Sequence, residues 1–187
     1  MSPQSERHLY PMAPLIRFTL LALYLALVLP LPFLAPPELR LVLSLALPLG
    51  LLLVVAATSE RVELDDDGLR VSHPAWCAWL LRRGWQLPWG KVLGLTPVAT
   101  SQGGRVWYVR GAGAEGSGGS PSAGRSYLLP QRVARFEDFL IRFSAASGVD
   151  TSGVGRISPP WTYQLLAVLC GSLLIAEALG MVWFSRP

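Results

Sequence analysis

The sequence predicts a membrane protein in which α-helical spans carry a small β-rich domain. Three long apolar blocks cover residues 15–34, 39–57 and 161–184. Each block is close to the ~20 apolar residues that cross a hydrocarbon core of ~30 Å. Residues 58–160 are of mixed polarity, and their short runs of alternating polar and apolar residues are typical of β-strands. The predicted fold class is therefore two N-terminal transmembrane helices, a β-barrel or sandwich ending in a helix, and one C-terminal transmembrane helix.

The N-terminal part is predicted to be a cytoplasmic tail, residues 1–14, followed by a transmembrane helical hairpin, residues 15–57. The turn of this hairpin is the proline-rich segment 35–38. Arg7 and Arg17 give the first block the basic flank of a secretory signal peptide, but its end lacks the small-x-small pattern of a cleavage site. We therefore interpret the first block as an uncleaved span.

The arginines near the span ends predict the orientation, because cytoplasmic flanks carry an excess of basic residues. With the N-terminus in the cytoplasm, the inside flanks carry Arg7, Arg17, Arg61, Arg70, Arg142 and Arg156, and the outside flanks carry Arg40 and Arg186. Residues 58–150 are then a cytoplasmic domain, residues 151–160 a linker, and residues 161–184 the third span.

Composition argues against several functional classes. The net charge is +4, but no basic run is longer than Arg82-Arg83, so no nucleic-acid partner is expected. Two cysteines, Cys77 and Cys170, and two histidines show no ligand spacing, so neither a metal nor a cofactor is expected. No nucleophile motif accompanies His73, the histidine of the β-rich domain, and an enzyme is therefore not expected.

The β-rich domain is predicted to contain about seven short strands and one helix. Candidate strands that can be placed lie at 61–64, 69–72, 85–89, 92–98, 105–110 and 126–129. Asp67-Gly68 between the first two is a strong hairpin signal. A helix is predicted over about 132–146, where apolar residues recur at helical spacing. These are Val133, Phe136, Phe139, Leu140 and Phe143.

This element order, together with the stretches 63–71 and 85–92 (Trp-Gln-Leu-Pro-Trp-Gly-Lys-Val), resembles bacterial membrane-anchored proteins with a pleckstrin-homology-like (PH-like) domain. In that family the final helix closes one end of a barrel, and the domain often follows a pair of transmembrane helices. The third span, starting at Pro159-Pro160-Trp161, resembles a set of uncharacterised membrane proteins of oxygenic photosynthetic bacteria. The resemblance implies a fold and an anchor in a bacterial plasma membrane or thylakoid, and it carries no catalytic residues.

Two motifs are interpreted structurally. Residues 111–116 match G-x-G-x-x-G, but a flexible Gly/Ser-rich stretch follows where a dinucleotide site needs a helix, so a long hairpin loop is expected. Asp65-Asp66-Asp67 lacks the carboxylate spacing of a Ca²⁺ loop and is read as turn chemistry. In lipid-binding PH domains the first hairpin loop is basic, so this acidic loop disfavours phosphoinositide headgroups.

An aromatic and basic cluster follows the first hairpin and is a candidate for membrane-surface contact. Its members are Trp76, Trp79, Arg82, Arg83 and Trp85. Tryptophan favours the bilayer interface, and arginine is attracted to anionic lipid. The alternative is that some of these tryptophans belong to the core of the domain.

The third block contains one acidic residue, Glu177, which is predicted to pair with Arg40 at the start of the second block. The alternative is that Glu177 reaches the headgroup region and is solvated. Ser172, Ala176 and Gly180 recur every four residues beside it, and this spacing predicts a close helix-packing seam.

The sequence therefore favours a membrane-anchored binding module. Its expected role is that of an assembly or accessory factor that contacts a protein partner in a larger membrane complex at the cytoplasmic face. The alternative is an accessory subunit of a transporter or channel that acts through its spans, which would require a homo-oligomer and would depend on Glu177.

Overall fold

The structure, a computed structural model, describes residues 7–81, 84–100, 104–112, 124–157 and 159–184. The chain divides into two compact units. The β-rich unit comprises Met1–Ala13 and Glu60–Ser158, and the helical unit comprises Pro14–Ser59 and Pro159–Pro187.

The described elements follow one another as strands and helices of both units. In chain order they are β1 His8–Pro11, α1 Pro14–Val28, α2 Leu31–Leu34, α3 Pro37–Ala57, β2 Arg61–Leu64, β3 Gly68–Ser72, α4 Ala75–Leu81, β4 Trp85–Pro88, the 3₁₀ helix Trp89–Lys91, β5 Val92–Ala99, β6 Arg105–Gly111, β7 Arg125–Leu128, α5 Phe136–Ser147 and α6 Pro160–Phe184.

Among the described residues of the helical unit, three helical segments are long and apolar enough to cross a membrane. They are Pro14–Leu34, which joins α1 and α2, then Pro37–Ala57 and Pro160–Trp183. The three predicted blocks are thus confirmed as apolar helices, with ends that differ by one or two residues. Proline lies at the start of each segment, where its missing N–H leaves no intrahelical hydrogen bond unmade.

In the helical unit, α1 packs against both α3 and α6. The buried Thr19 hydroxyl lies 2.8 Å from the Leu15 carbonyl oxygen in its own helix and 3.2 Å from the Tyr163 carbonyl oxygen in α6. The Tyr24 hydroxyl donates to the Leu47 carbonyl oxygen of α3 at 2.7 Å. Inside a bilayer the hydrophobic effect does not drive helices together, because lipid tails are as apolar as the side chains. Hydrogen bonds of this kind therefore contribute to helix association there.

The β-rich unit contains two antiparallel sheets, ordered β1-β2-β3-β4 and β5-β6-β7. They are separate sheets in the described part of the chain, so the closed-barrel form of the prediction is not observed. The antiparallel sheets and the terminal helix α5 confirm the coarser prediction. An acidic hairpin joins β2 to β3, as Asp67-Gly68 predicts.

The strand β1 was not predicted, because residues 1–14 were assigned to a tail. Its register pairs His8 with Leu64 and Pro11 with Arg61 of β2. Its other side is held by the Ala134 amide, which donates to the Pro11 carbonyl oxygen at 2.8 Å. The first strand of the sheet therefore precedes the spans, and the other three follow α3.

The segment predicted as a linker, 151–160, is tied to the β-rich unit over much of its length. Val154 is buried among the core residues. The buried Gln131 side chain donates to the Gly155 carbonyl oxygen at 2.6 Å and accepts from the Trp107 amide at 3.2 Å. Because this amide satisfies two backbone groups, it fixes residues around 155 against β6.

The core of the β-rich unit lies between the two sheets and α5. The apolar face of α5 supplies the aromatic residues Phe136, Phe139 and Phe143, all buried as their spacing predicts. The helix itself begins at Phe136 rather than near 132, and Arg135 before it has a left-handed backbone (φ 51°). Trp85 of β4 stacks on Tyr127 of β7 with ring centroids 4.8 Å apart, so this pair joins the two sheets.

A polar network fastens β1 to α5. The hydroxyl of the fully buried Tyr10 donates to Asp138 Oδ2 at 2.7 Å, and Arg142 Nε lies 3.2 Å from Asp138 Oδ1. The same arginine lies 2.7 Å from His8 Nε2. Burial, followed by the bond to Asp138, raises the pKa of Tyr10 to about 12. The Tyr10 hydroxyl, followed by Arg142, lowers the pKa of Asp138.

Tyr10→Phe is expected to lower the free energy of unfolding of the β-rich unit by about 1–2 kcal/mol, because it removes a hydrogen bond to a charged group. The pKa of Tyr10 is raised on folding, so this stabilisation is complete below its ordinary value of 10.0 and is lost as pH rises towards 12. Denaturant titration of the full chain in nanodiscs, followed by tryptophan fluorescence, should show the wild-type advantage at pH 8 and its loss near pH 12. An advantage that is constant with pH would contradict the role of this hydroxyl.

Candidate functional site

The acidic turn at Asp65–Asp67 is held by hydrogen bonds within the turn and to Trp89. Asp65 Oδ1 accepts from the Asp67 and Gly68 amides at 3.1 and 2.9 Å, and the Trp89 indole donates to the Asp65 carbonyl oxygen at 2.8 Å. This is the turn chemistry that the sequence predicts. Within the described part of the chain, no group of three or more His, Cys, Asp or Glu side chains could hold a metal ion. The glycine motif at 111–116 lies outside the described residues beyond Ala112.

The predicted membrane-surface cluster divides into two parts. Trp76 and Trp79 lie on the short helix α4, with 48% and 71% of their surfaces exposed. Trp85 instead belongs to β4, where it stacks on Tyr127 and packs against the core. Its side chain is half-buried, which fits the core alternative for this residue. Arg82 and Arg83 lie outside the described residues.

The outer face of the three-stranded sheet is a surface that sequence analysis missed. Directly paired residues of an antiparallel sheet share a face. Thr96, Tyr108 and Leu128 form one row, and Val98 pairs with Val106 in the next. Leu128 is 50% exposed and Val98 is 47% exposed. The solvent-facing side of an antiparallel sheet is usually polar, so exposed apolar side chains on this face are unusual.

The other face of the same sheet is buried against the core. The row of Thr96, Tyr108 and Leu128 therefore faces away from the core. Val109 is fully buried, and its partners across the sheet are Leu95 and Tyr127, both of which pack against the core. We call Thr96, Val98, Val106, Tyr108 and Leu128 the outer sheet face. The alternation in β5 and β6 could have revealed it, but only if the pairing register of the strands were known.

The predicted pair of Arg40 and Glu177 is not formed among the described residues. Arg40 is exposed in the first turn of α3, and its Nε donates to the Ala35 carbonyl oxygen at 3.1 Å. Glu177 is half-buried in α6, and its Oε2 is buried without a hydrogen-bond partner. The reason is the helix packing, since α6 packs chiefly against α1, and α3 packs against α1 and α2.

The predicted packing seam on α6 is not a close contact between the described helices of this chain. Ser172 and Ala176 are exposed, and a Cβ placed on Gly180 would find no atom within 4 Å. The buried Cys170 lies on another face of α6. The small residues therefore stay available on the outside of the helical unit.

Helices, sheets and surfaces together define a class of protein: a membrane protein with three candidate spans and a β-rich unit formed by strands from both sides of the first two spans. The chain is 40% identical over 190 residues to a protein of Synechocystis sp. (strain ATCC 27184 / PCC 6803 / Kazusa) named "Uncharacterized protein slr0269". The aligned region covers 97% of this chain and 90% of the relative. The chain belongs to the family of that cyanobacterial protein.

Two further comparisons give no match. No family model matches the chain. No solved structure matches it. The relative confirms the cyanobacterial part of the predicted resemblance.

Proposed function

We propose that this chain is a membrane-anchored binding module, an assembly or accessory factor that contacts a protein subunit of a larger membrane complex. The observation that carries the proposal is the outer sheet face of a unit whose chain is joined to three apolar helices. The exposed Val98 and Leu128 side chains, beside the half-buried Tyr108, suit the apolar centre of a protein interface. The proposed partner surface lies on the cytoplasmic side, as the arginine distribution predicts.

We further propose that the β-rich unit is a PH-like domain. Four strands in one sheet, three in the next and a terminal helix with buried phenylalanines support this reading. Its first strand would then be β1, supplied by residues before the first span. The acidic turn at Asp65–Asp67 supports a protein partner over a phosphoinositide, because a carboxylate cluster repels phosphate.

A specific observation also favours the alternative function, an accessory subunit of a transporter or channel that acts through its spans. The buried, unpartnered Oε2 of Glu177 is the kind of polar group that marks function inside a membrane. In this reading the exposed Ser172 and Ala176 would contact a second copy of the chain. The binding module therefore depends on the outer sheet face in the β-rich unit, whereas the transport function depends on Glu177 in the helical unit.

One experiment separates them. The tagged full chain is crosslinked in native membranes, solubilised in mild detergent, and its partners are quantified for three variants. The binding module predicts that Leu128→Asn weakens recovery of a reproducible partner about tenfold or more, since a buried leucine contributes ~1.5–3 kcal/mol and ~1.4 kcal/mol is tenfold. Ile141→Asn is the matched control, because Ile141 is exposed on α5 and outside the outer sheet face.

The third variant, Glu177→Gln, tests the alternative. The binding module predicts unchanged partner recovery. A homo-oligomer that Glu177→Gln disrupts, with no effect of Leu128→Asn, would overturn the binding module in favour of the transport reading.

A further inference from the structure

The short helix α4 carries an exposed aromatic face. Trp76, Trp79 and Leu80 lie at positions i, i+3 and i+4, so they share one side of the helix. They are 48%, 71% and 45% exposed, whereas Cys77 on another side is 1% exposed. A water-facing helix would place polar residues at these three positions, so this side is built for a less polar environment.

The indole N–H of Trp79, a polar group on this face, is hydrogen-bonded within α4. The Trp79 indole N–H donates to the Trp76 carbonyl oxygen at 2.9 Å, inside the same helix. Transfer of an indole N–H out of water without a hydrogen bond is costly. Because this bond is formed within α4, the Trp79 ring can leave bulk water without losing it.

The register of the four-stranded sheet defines the end from which α4 extends. Pro11, Arg61 and Ser72 are aligned across β1, β2 and β3, so they lie at one end of the sheet. Strand β3 ends at Ser72, and β4 begins at Trp85, which pairs with Val71. The segment that contains α4 therefore leaves and re-enters the sheet at the Pro11–Arg61–Ser72 end.

The same end is where the chain passes to and from the apolar helices. Pro11 precedes the first residue of α1, Pro14, by three positions, and Arg61 follows the last residue of α3, Ala57, by four. Four residues of fully extended chain reach at most about 14 Å. At this end of the sheet, the chain therefore has only three or four positions between a strand and the end of a span.

We propose that α4 is an interfacial helix whose Trp76, Trp79 and Leu80 side chains lie in the headgroup–acyl boundary of the leaflet nearest the β-rich unit. Tryptophan rings are enriched at this depth because one edge is polar and the body is apolar. This inference deepens the proposed function by giving the anchored module a fixed attachment to the surface of the bilayer. It rests on the membrane anchoring in that proposal and not on the protein partner.

Depth measurement in nanodiscs tests the proposal on the full chain. In a Cys77→Ala, Cys170→Ala background, Leu80→Cys carries an environment-sensitive fluorophore while both tryptophans stay in place. Asp66→Cys, at the opposite end of the β2–β3 hairpin, is the water-exposed control, and Leu45→Cys, exposed in α3, is the control within a span. Lipids with nitroxide on the upper acyl chain quench from the bilayer, and iodide quenches from water.

The expected result is that lipid nitroxide quenches the label at 80 about threefold more than the label at 66, since interfacial helices insert about 5–10 Å. Trp76→Ser with Trp79→Ser should remove that excess, and Ile141→Ser, an exposed apolar control on α5, should not. Iodide quenching at 80 equal to that at 66 would overturn the proposal, as would shielding from both quenchers, which would indicate a protein contact. If the label at 45 were not quenched by lipid, the membrane anchoring itself would fail instead.

Discussion

Replacing Phe139 with alanine is expected to lower the free energy of unfolding of the β-rich unit by about 3–5 kcal/mol. Phe139 is fully buried, and its ring contacts three aromatic neighbours. It lies 5.5 Å from the Tyr10 ring in an edge-to-face arrangement and 6.1 Å from the rings of both Phe136 and Phe143. Alanine would leave a cavity where β1, α5 and the sheets meet.

The size of the effect matters because small domains are stabilised by only about 5–15 kcal/mol in total. A loss of this size would bring the β-rich unit close to spontaneous unfolding. Hydrogen exchange of the full chain in nanodiscs, read by mass spectrometry, should show amides of β1–β4 and α5 losing most of their protection. Peptides from α1, α3 and α6 belong to the other compact unit and should keep theirs.

Ile141→Ala is the matched control for this prediction. Ile141 lies in the same helix, two positions from Phe139, but 69% of its surface is exposed. Its truncation should change the stability by no more than about 0.5 kcal/mol, as is usual for surface positions. Equal effects of the two variants would mean that α5 does not pack into the core through its phenylalanine face.

Local patterns predicted those parts of the fold that depend on neighbouring residues alone. Length and hydropathy placed the three apolar helices to within one or two residues, because a hydrophobic run must be long to cross a bilayer. Spacing placed Phe136, Phe139 and Phe143 on one buried face of α5. Asp67-Gly68 marked the position of the hairpin, and the turn itself is closed by Asp65, whose side chain accepts from the Asp67 and Gly68 amides.

Features that depend on distant partners escaped the sequence analysis. Strand β1 is only four residues long, and its partner β2 comes after α1 and α3. The pairing therefore cannot be predicted from the residues next to β1 in the sequence. Trp76 and Trp85 look alike in sequence, yet one is exposed on α4 and the other stacks on Tyr127. Periodicity could not separate them, because burial is decided by the second sheet.

The same limit explains the candidate sites. Opposite charges inside apolar blocks predicted the pair of Arg40 and Glu177, but the choice of neighbouring helix decides whether they meet. Helix α1 is the packing partner of α6, and no sequence pattern specified that arrangement. The outer sheet face likewise became visible only once the register of β5, β6 and β7 was known.

Gly68→Ala is expected to destabilise the β-rich unit by about 1–3 kcal/mol, the usual cost of forcing extra volume into a packed region. Gly68 is buried at the start of β3 and pairs with Pro88 of β4. A Cβ at this position would lie 2.8 Å from Pro88 Cα and 3.0 Å from the Leu87 carbonyl carbon. These are backbone atoms, so the collision is relieved only if β3 and β4 separate.

The strain would spread from Gly68 because the turn is connected to the core. The Gly68 amide donates to Asp65 Oδ1 at 2.9 Å, and the Trp89 indole holds the Asp65 carbonyl oxygen. The Trp89 ring in turn packs edge-to-face on Phe143 at 5.7 Å. Displacement of β4 should therefore expose Trp89, and the tryptophan emission of the whole chain is expected to shift to longer wavelength than in the wild type.

Gly90→Ala is the control, since Gly90 lies two residues from Pro88 and a Cβ there would find no atom within 4 Å. It removes a glycine from the same segment without the collision, so its stability should stay within about 0.5 kcal/mol of the wild-type value. Denaturant unfolding of both variants in nanodiscs measures the difference. If Gly90→Ala destabilised the unit as much as Gly68→Ala, the prediction would be wrong. Glycine would then be needed for backbone freedom along this segment and not for the close approach of β3 to β4.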